Sequence, residues 1–192
     1  MRFFVSLLIA LGLIVLVFVL ILKSFSGHSS PTLPKPLTSY DNTSAVMQVI
    51  IDGPITVDQT RQEVQISVDQ TQTEIQIMQG YQGTVVNSKT YPNNTSSYLY
   101  FLSALNLAGF TNGTSNSVPV STLGYCPFGN RYTYQIINDA ATIQNYWSDS
   151  CKDGSATFKG NNATVQDLFE NQIPDFSDLT NNLDIFANSS IL

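Results

Sequence analysis

Two cysteines, Cys126 and Cys151, and a single histidine, His28, bound the chemistry open to this 192-residue chain. His28 falls in a Pro/Ser-rich stretch. A catalytic imidazole needs a fixed partner and a pocket, and such a stretch supplies neither. With no other histidine, Ser-His-Asp and Cys-His catalysis and most zinc sites are excluded from the rest of the chain. The sequence carries no phosphate loop, no G-x-G-x-x-G and no G-x-S-x-G. These residues imply no catalytic set, no cofactor and no metal.

The cysteines read as a disulfide, because an even pair in an exported domain ordinarily bridges. Closing a loop of this size stabilises by about 3 kcal/mol. A redox pair would need close C-x-x-C spacing and a lowered thiol pKa, and this separation suggests neither. Carboxylates are the remaining acid–base groups. Asp52, Asp58, Glu63, Asp69 and Glu74 gather around the first strands, and Asp149 and Asp153 flank Cys151. Two of them facing each other across a cleft could hydrolyse a glycoside. Asp149 with Asp153-Gly154 could help to hold calcium, although the spacing is not an EF-hand loop. Turn and edge positions are where solvated Asp and Glu ordinarily sit, and that reading carries more weight for both ideas.

Aromatics are plentiful: Tyr81, Tyr91, Tyr98, Tyr100, Tyr132, Tyr134, Tyr146 and Trp147. Exposed Tyr and Trp stack on sugars or anchor protein partners. Tyr132, Tyr134 and Trp147 make the candidate binding face, set against the plainer reading that Tyr132 and Trp147 pack under a helix. Asn42, Asn93, Asn94, Asn112, Asn162 and Asn188 head N-x-S/T patterns, which composition alone produces in a chain this rich in Asn, Ser and Thr.

The elements that must position these residues follow from periodicity. Val46–Ile51 is a short apolar run ended by Asp52-Gly53-Pro54. Val64, Ile66 and Val68, then Ile75 and Ile77, alternate with polar residues as half-buried strands do. A loop at 69–72 sets Val64 against Ile77 and Ile66 against Ile75. A turn at 80–83 returns the chain with Val86 beside Ile77, completing an antiparallel meander. Tyr98, Phe101, Leu102, Leu105 and Ala108 then recur at helical spacing, between Asn94 or Thr95 as N-cap and Gly109 as the stop. After a loop over 111–122, segments 131–138 and 142–148 form a second hairpin around Asp139-Ala140. Ile136 there opposes Ile143, and Tyr132 opposes Trp147 on one face. That register leaves Cys126 two residues from Cys151, a gap that an irregular lead-in at Cys126-Pro127 would close. Val165, Leu168, Phe169 and Ile173 suggest a second helix capped by Asn161 or Asn162. Phe176, Leu179, Leu183 and Phe186 suggest a last helix or an appended tail.

Before all of this stands an unbroken apolar run, Phe3 to Leu22. Twenty helical residues span about 30 Å, the thickness of a bilayer core. The run is longer than a secretory signal needs, and Ser24-Phe25-Ser26 is a weak cleavage site, so it reads as a retained signal anchor ahead of a cleaved signal. Arg2 against Lys23 and Lys35 nearly ties the positive-inside rule. The Asn/Thr/Ser/Gln-rich composition and paired cysteines place the C-terminal domain outside. Pro31, Pro34 and Pro36 make residues 24–44 either a stalk lifting the domain on the order of 50 Å or a linker of no set height. Beyond the anchor, six basic residues face fourteen acidic ones, a net charge near −8. That acidity excludes charge-driven binding to nucleic acid or anionic lipid and ordinarily serves solubility.

The segments DGPITVDQTRQEVQISV, GYQGTVVNSKTYPNN, FLSALNLAGF, CPFGNRYTYQI, YWSDSC and LFENQIPDF resemble an uncharacterised family of single-anchor exported proteins from Saccharibacteria-type ultrasmall bacteria. The resemblance spans about residues 45–176. None of the segments is a catalytic signature, so no functional residue carries over. A bacterial cell-surface location is what it implies.

The expected fold is therefore α+β: an antiparallel sheet (meander plus a C-terminal hairpin) with helices packed on one face, preceded by one transmembrane helix. Its parts are an anchor over 1–23, a stalk over 24–44, an extracytoplasmic domain over 45–175 and a helix or tail over 176–192. The expected function is a membrane-anchored extracytoplasmic binding or envelope-assembly module. Its partners would be the membrane through residues 3–22 and a cell-surface protein or wall polymer, without nucleic acid. The alternatives are a carboxylate-dependent hydrolase of cell-wall glycan, and a secreted protease inhibitor presenting Pro127-Phe128-Gly129.

Overall fold

The protein's computed structural model describes residues 36–42, 44–114, 124–151 and 156–187. The apolar run at 3–22, His28, the stretch up to residue 35 and Asp153-Gly154 lie outside the described residues. Among the described residues no helix is long and apolar enough to cross a membrane. Six strands form one open antiparallel sheet: β1 (Ala45–Asp52), β2 (Gln62–Val68), β3 (Gln72–Gln79), β4 (Thr84–Pro92), β5 (Arg131–Asn138) and β6 (Ala141–Asp149). Their order is β4-β3-β2-β1-β5-β6.

The central position belongs to β1, which joins the meander to the C-terminal hairpin. Met47, Val49 and Ile51 alternate along it and face Val68, Ile66 and Val64 on β2. On its other side they face Ile136, Tyr134 and Tyr132 on β5. All nine side chains are buried, so a one-residue slip of either neighbour would turn an apolar row into water. Between β2 and β3 the register is the one the alternation predicts, Val64 against Ile77 and Ile66 against Ile75.

The two outer hairpins depart from the expected register in the same way. At the 80–83 turn, Gln79 pairs Thr84 and Met78 pairs Val85, but Ile77 then pairs Asn87, leaving Val86 as an extra, exposed residue. At the Asp139-Ala140 turn, Asn138 pairs Ala141 and Ile137 pairs Thr142, but Ile136 then pairs Gln144 and Ile143 is left over, also exposed. Each bulge sits on an edge strand, where an inserted residue twists the edge and discourages pairing with another chain. Because side chains alternate faces, the second bulge moves Trp147 opposite Thr133 rather than Tyr132.

Helix α1 (Thr95–Leu107) begins where the Asn94 side chain accepts the Ser97 N–H at 3.0 Å. It ends at Gly109, whose φ of +78° suits glycine and lets the Phe110 N–H reach the Leu105 carbonyl at 3.0 Å. Its Tyr98, Phe101, Leu102 and Leu105 enter the core. Helix α2 (Asn162–Glu170) is capped by Asn161, which accepts from the Thr164 N–H at 3.1 Å. Its Phe169 meets Phe101 edge-on at 5.2 Å. Two short helices, α3 (Phe176–Thr180) and α4 (Asp184–Ala187), follow. The helical side chains share one apolar cluster with the Met47/Val49/Ile51 face of the sheet.

The packed body reaches past both expected boundaries. Leu37, in a short 3-10 turn over Leu37–Tyr40, is fully buried and belongs to the cluster. Ile185 of α4 is buried in the same cluster, so residues 176–186 are packed structure rather than an appendage.

Candidate functional site

The chain enters β1 at Ala45, at one end of the sheet. At the opposite end three connections meet: 53–61, 80–83 and 124–130. Cys126 and Cys151 form a disulfide there, with Cα atoms 5.4 Å apart. The gap is closed by a tight turn in which the Gly129 N–H donates to the Cys126 carbonyl at 3.1 Å and Cys126 takes a φ of +46°. A Cβ on residue 129 would lie 2.6 Å from the Cys126 sulfur and closer still to Ser150 Oγ, so the turn needs glycine.

Two buried arginines tie the connections together. Arg131 donates from Nε to Asp52 Oδ2 at 3.1 Å, from Nη1 to the Cys126 carbonyl at 3.1 Å, and from Nη2 to the Gly53 carbonyl. The disulfide turn and the β1–β2 connection therefore share one guanidinium. The Ile55 N–H donating to the Pro127 carbonyl at 2.8 Å joins them directly. Arg61 donates to the Gly80 carbonyl at 2.9 Å and bridges Asp52 and Glu63, at 2.8 and 3.0 Å. Its guanidinium also stacks 4.9 Å from the Tyr81 ring. Tyr81 in turn donates from its backbone to Asp58 Oδ1 at 2.7 Å and from its hydroxyl to the Thr56 carbonyl at 2.8 Å.

These locked loops present apolar side chains to solvent. Phe128 is 90% exposed, Val57 67%, Tyr81 42% and Ile55 40%. No core reason accounts for a ring so exposed at the tip of a disulfide-closed turn. Exposed apolar groups on pre-ordered backbone form the kind of surface a partner uses, since little ordering entropy remains to be lost on contact.

The carboxylates singled out from the sequence are engaged elsewhere. Asp52 and Glu63 are cross-strand neighbours, but Arg61 lies between them and Arg131 takes the second oxygen of Asp52. Burial pushes the Glu63 carboxyl up from the ordinary range, against the opposing pull of Arg61. Asp58 holds the Tyr81 amide, and Asp69 accepts from the Thr71 and Gln72 amides at 2.6 and 2.9 Å in an Asx turn. Glu74 accepts from Gln76 and Ser88. Asp149 accepts from the Cys151 N–H at 2.8 Å. Asp149 and the two sulfurs lie within 4.8 Å of one another, but the bridged sulfurs offer no thiolate to a metal.

The expected binding face of Tyr132, Tyr134 and Trp147 is corrected on two counts. All three are buried, and the bulge places Trp147 on the sheet face opposite the two tyrosines. Tyr134 stacks tilted on Phe158 at 4.3 Å and donates to Asn162 Oδ1 on α2. Burial raises the pKa of both tyrosine hydroxyls. Trp147 lies under Tyr125, with ring centroids 4.8 Å apart. The residues that replace this trio at the surface, Ile55 and Val57 above all, carried a signal: they are apolar in a segment bounded by Gly53-Pro54 and Asp58, where turn chemistry predicts polar residues. No protein-family model matches the chain, and no curated protein matches it, so function must be argued from the site itself.

Proposed function

We propose that this chain is a membrane-anchored extracytoplasmic binding module that docks a cell-surface protein through Ile55, Val57, Tyr81 and Phe128. One observation carries the reading: four large apolar side chains stand exposed on three connections that a disulfide and two buried arginines hold together. Aromatic and aliphatic anchors of this kind dominate protein–protein contacts. The disulfide suits an oxidising compartment, and the apolar run at 3–22 supplies the anchor. The hydrolase alternative is less well supported, because Arg61 fills the space between its best carboxylate pair. The inhibitor alternative needs an extended segment in a protease cleft, whereas Cys126–Gly129 is closed into a turn.

The test is capture from intact cells by the full chain and by a Phe128→Ser/Val57→Ser variant of equal stability. The reading expects a reproducible surface protein with the first and its loss with the second. Equal capture by both would refute it.

A second reading has its own observation. Asn145, Gln135, Ser67 and Glu74 stand half-buried on the sheet face away from the helices, in register with the buried Gln48. Such a nearly uncharged, hydrogen-bonding row suits a neutral wall polymer. Retention of glycan that survives the Phe128→Ser/Val57→Ser change and is lost with Gln135→Ala/Ser67→Ala would favour it.

A further inference from the structure

A cavity of about 410 Å³ opens on the helical side, lined by Glu170, Phe176, Thr180, Leu183 and Phe186 with two neutral polar neighbours. Three apolar side chains line it beside neutral polar ones, and one carboxylate stands among them. Glu170 is the last residue of α2, at the negative end of the helix dipole. Burial raises its pKa, and Asp167 one turn earlier pushes the same way. Among the lining residues no cation answers it. After Lys159 the sequence has no Lys, Arg or His, while Asp167, Glu170, Asp175, Asp178 and Asp184 follow. The cation that reaches this region, Lys89, is held by Asp175. Phe176 and Phe186 meet edge-on at 5.3 Å beside the same space, and aromatic rings favour cations over anions.

These features select among ligands. An anion would meet the Glu170 carboxylate with no cation in the lining to offset it. A bare calcium ion needs six to eight oxygens, and one carboxylate with the side-chain oxygens of Ser177, Thr180 and Asn181 falls short of that number. A wholly apolar ligand would strip water from Glu170 and give nothing back. An alkyl stem ending in a positive charge matches both the apolar rings and the carboxylate. We infer that this cavity binds a primary ammonium on a short alkyl stem, the chemistry of a lysine side chain. The inference does not rest on the reading of the apolar tip.

The test uses the full chain in nanodiscs, titrated by NMR with Nα-acetyl-lysine N-methylamide and, separately, with the norleucine analogue, which keeps the stem and lacks the ammonium. Saturable shifts at Phe176, Leu183 and Phe186 are expected with the lysine probe. Binding of the norleucine probe should be at least about tenfold weaker, as expected for losing one charged hydrogen bond. Glu170→Gln should weaken the lysine probe by a similar factor. Phe186→Leu serves as the second variant and should weaken it several-fold with the carboxylate intact. Equal affinity for both probes, undiminished binding in Glu170→Gln, or no saturation with the lysine probe would overturn the inference.

Discussion

Replacing Arg131 with methionine should loosen the apolar tip and cost a measurable share of the domain's stability. Arg131 is 2% exposed and touches Asp52, Gly53 and Cys126 at once. Removing one member of a buried pair ordinarily costs about 3–5 kcal/mol, because the other charge stays buried. Here Asp52 keeps its ion pair with Arg61 at 2.8 Å, and methionine refills the volume of the stem. The lower bound, about 3 kcal/mol, therefore applies. At roughly 2–4 °C per kcal/mol for a domain of this size, Tm should fall by about 6–12 °C. Urea unfolding gives the free energy, and hydrogen exchange of the Ile55 amide, which donates to Pro127, reports on the tip separately. Its protection should drop even where the core stays intact. Adding Asp52→Asn should cost less than the sum of the two changes, as coupled partners do. An Arg131→Met variant within about 0.5 kcal/mol of the parent, with Ile55 still protected, would refute the role given to this guanidinium.

Ala140 sits in the second hairpin turn at a φ of +62°, so Ala140→Gly should stabilise by about 0.5–1 kcal/mol in urea unfolding, and a loss would contradict the left-handed turn. Reducing the disulfide should lower stability by about 3 kcal/mol, seen as a lower urea midpoint with dithiothreitol. Glu170 has a raised folded-state pKa. Its contribution to stability is therefore full below the unfolded carboxylate pKa and lost as pH rises through the raised value. Glu170→Gln should accordingly shrink the Tm difference between mildly acidic and neutral buffer, and an unchanged difference would refute the assignment. Phe128→Ser should leave the urea midpoint almost unmoved, since the ring has no core contacts to lose.

Local patterns in the sequence carry much of this fold. The alternation of Val64, Ile66, Ile75 and Ile77 specifies both strands and their register, because only one pairing puts every apolar side chain on one face. Tyr98, Phe101, Leu102 and Leu105, with Asn94 before and Gly109 after, specify α1 completely. The bulges at Val86 and Ile143 are illegible for a physical reason. An extra residue in an edge strand costs little, and apolar residues there mimic a continued alternation. That single insertion carried Trp147 to the wrong face of the expected hairpin. The placement of β1 between β2 and β5 is a long-range choice that no local pattern encodes. The disulfide was legible from cysteine number and hairpin geometry. The tip was not, because its side chains come from three connections that meet only through Arg61 and Arg131.

Photo-crosslinking from position 128 tests the docking surface most directly. A benzoylphenylalanine at 128 in the full chain, in intact cells, should give a discrete adduct with one surface protein. The same residue at 96, in the first turn of α1 at the opposite end of the sheet, should not. Adducts from 96 and none from 128 would contradict the assignment of the tip as the contact surface.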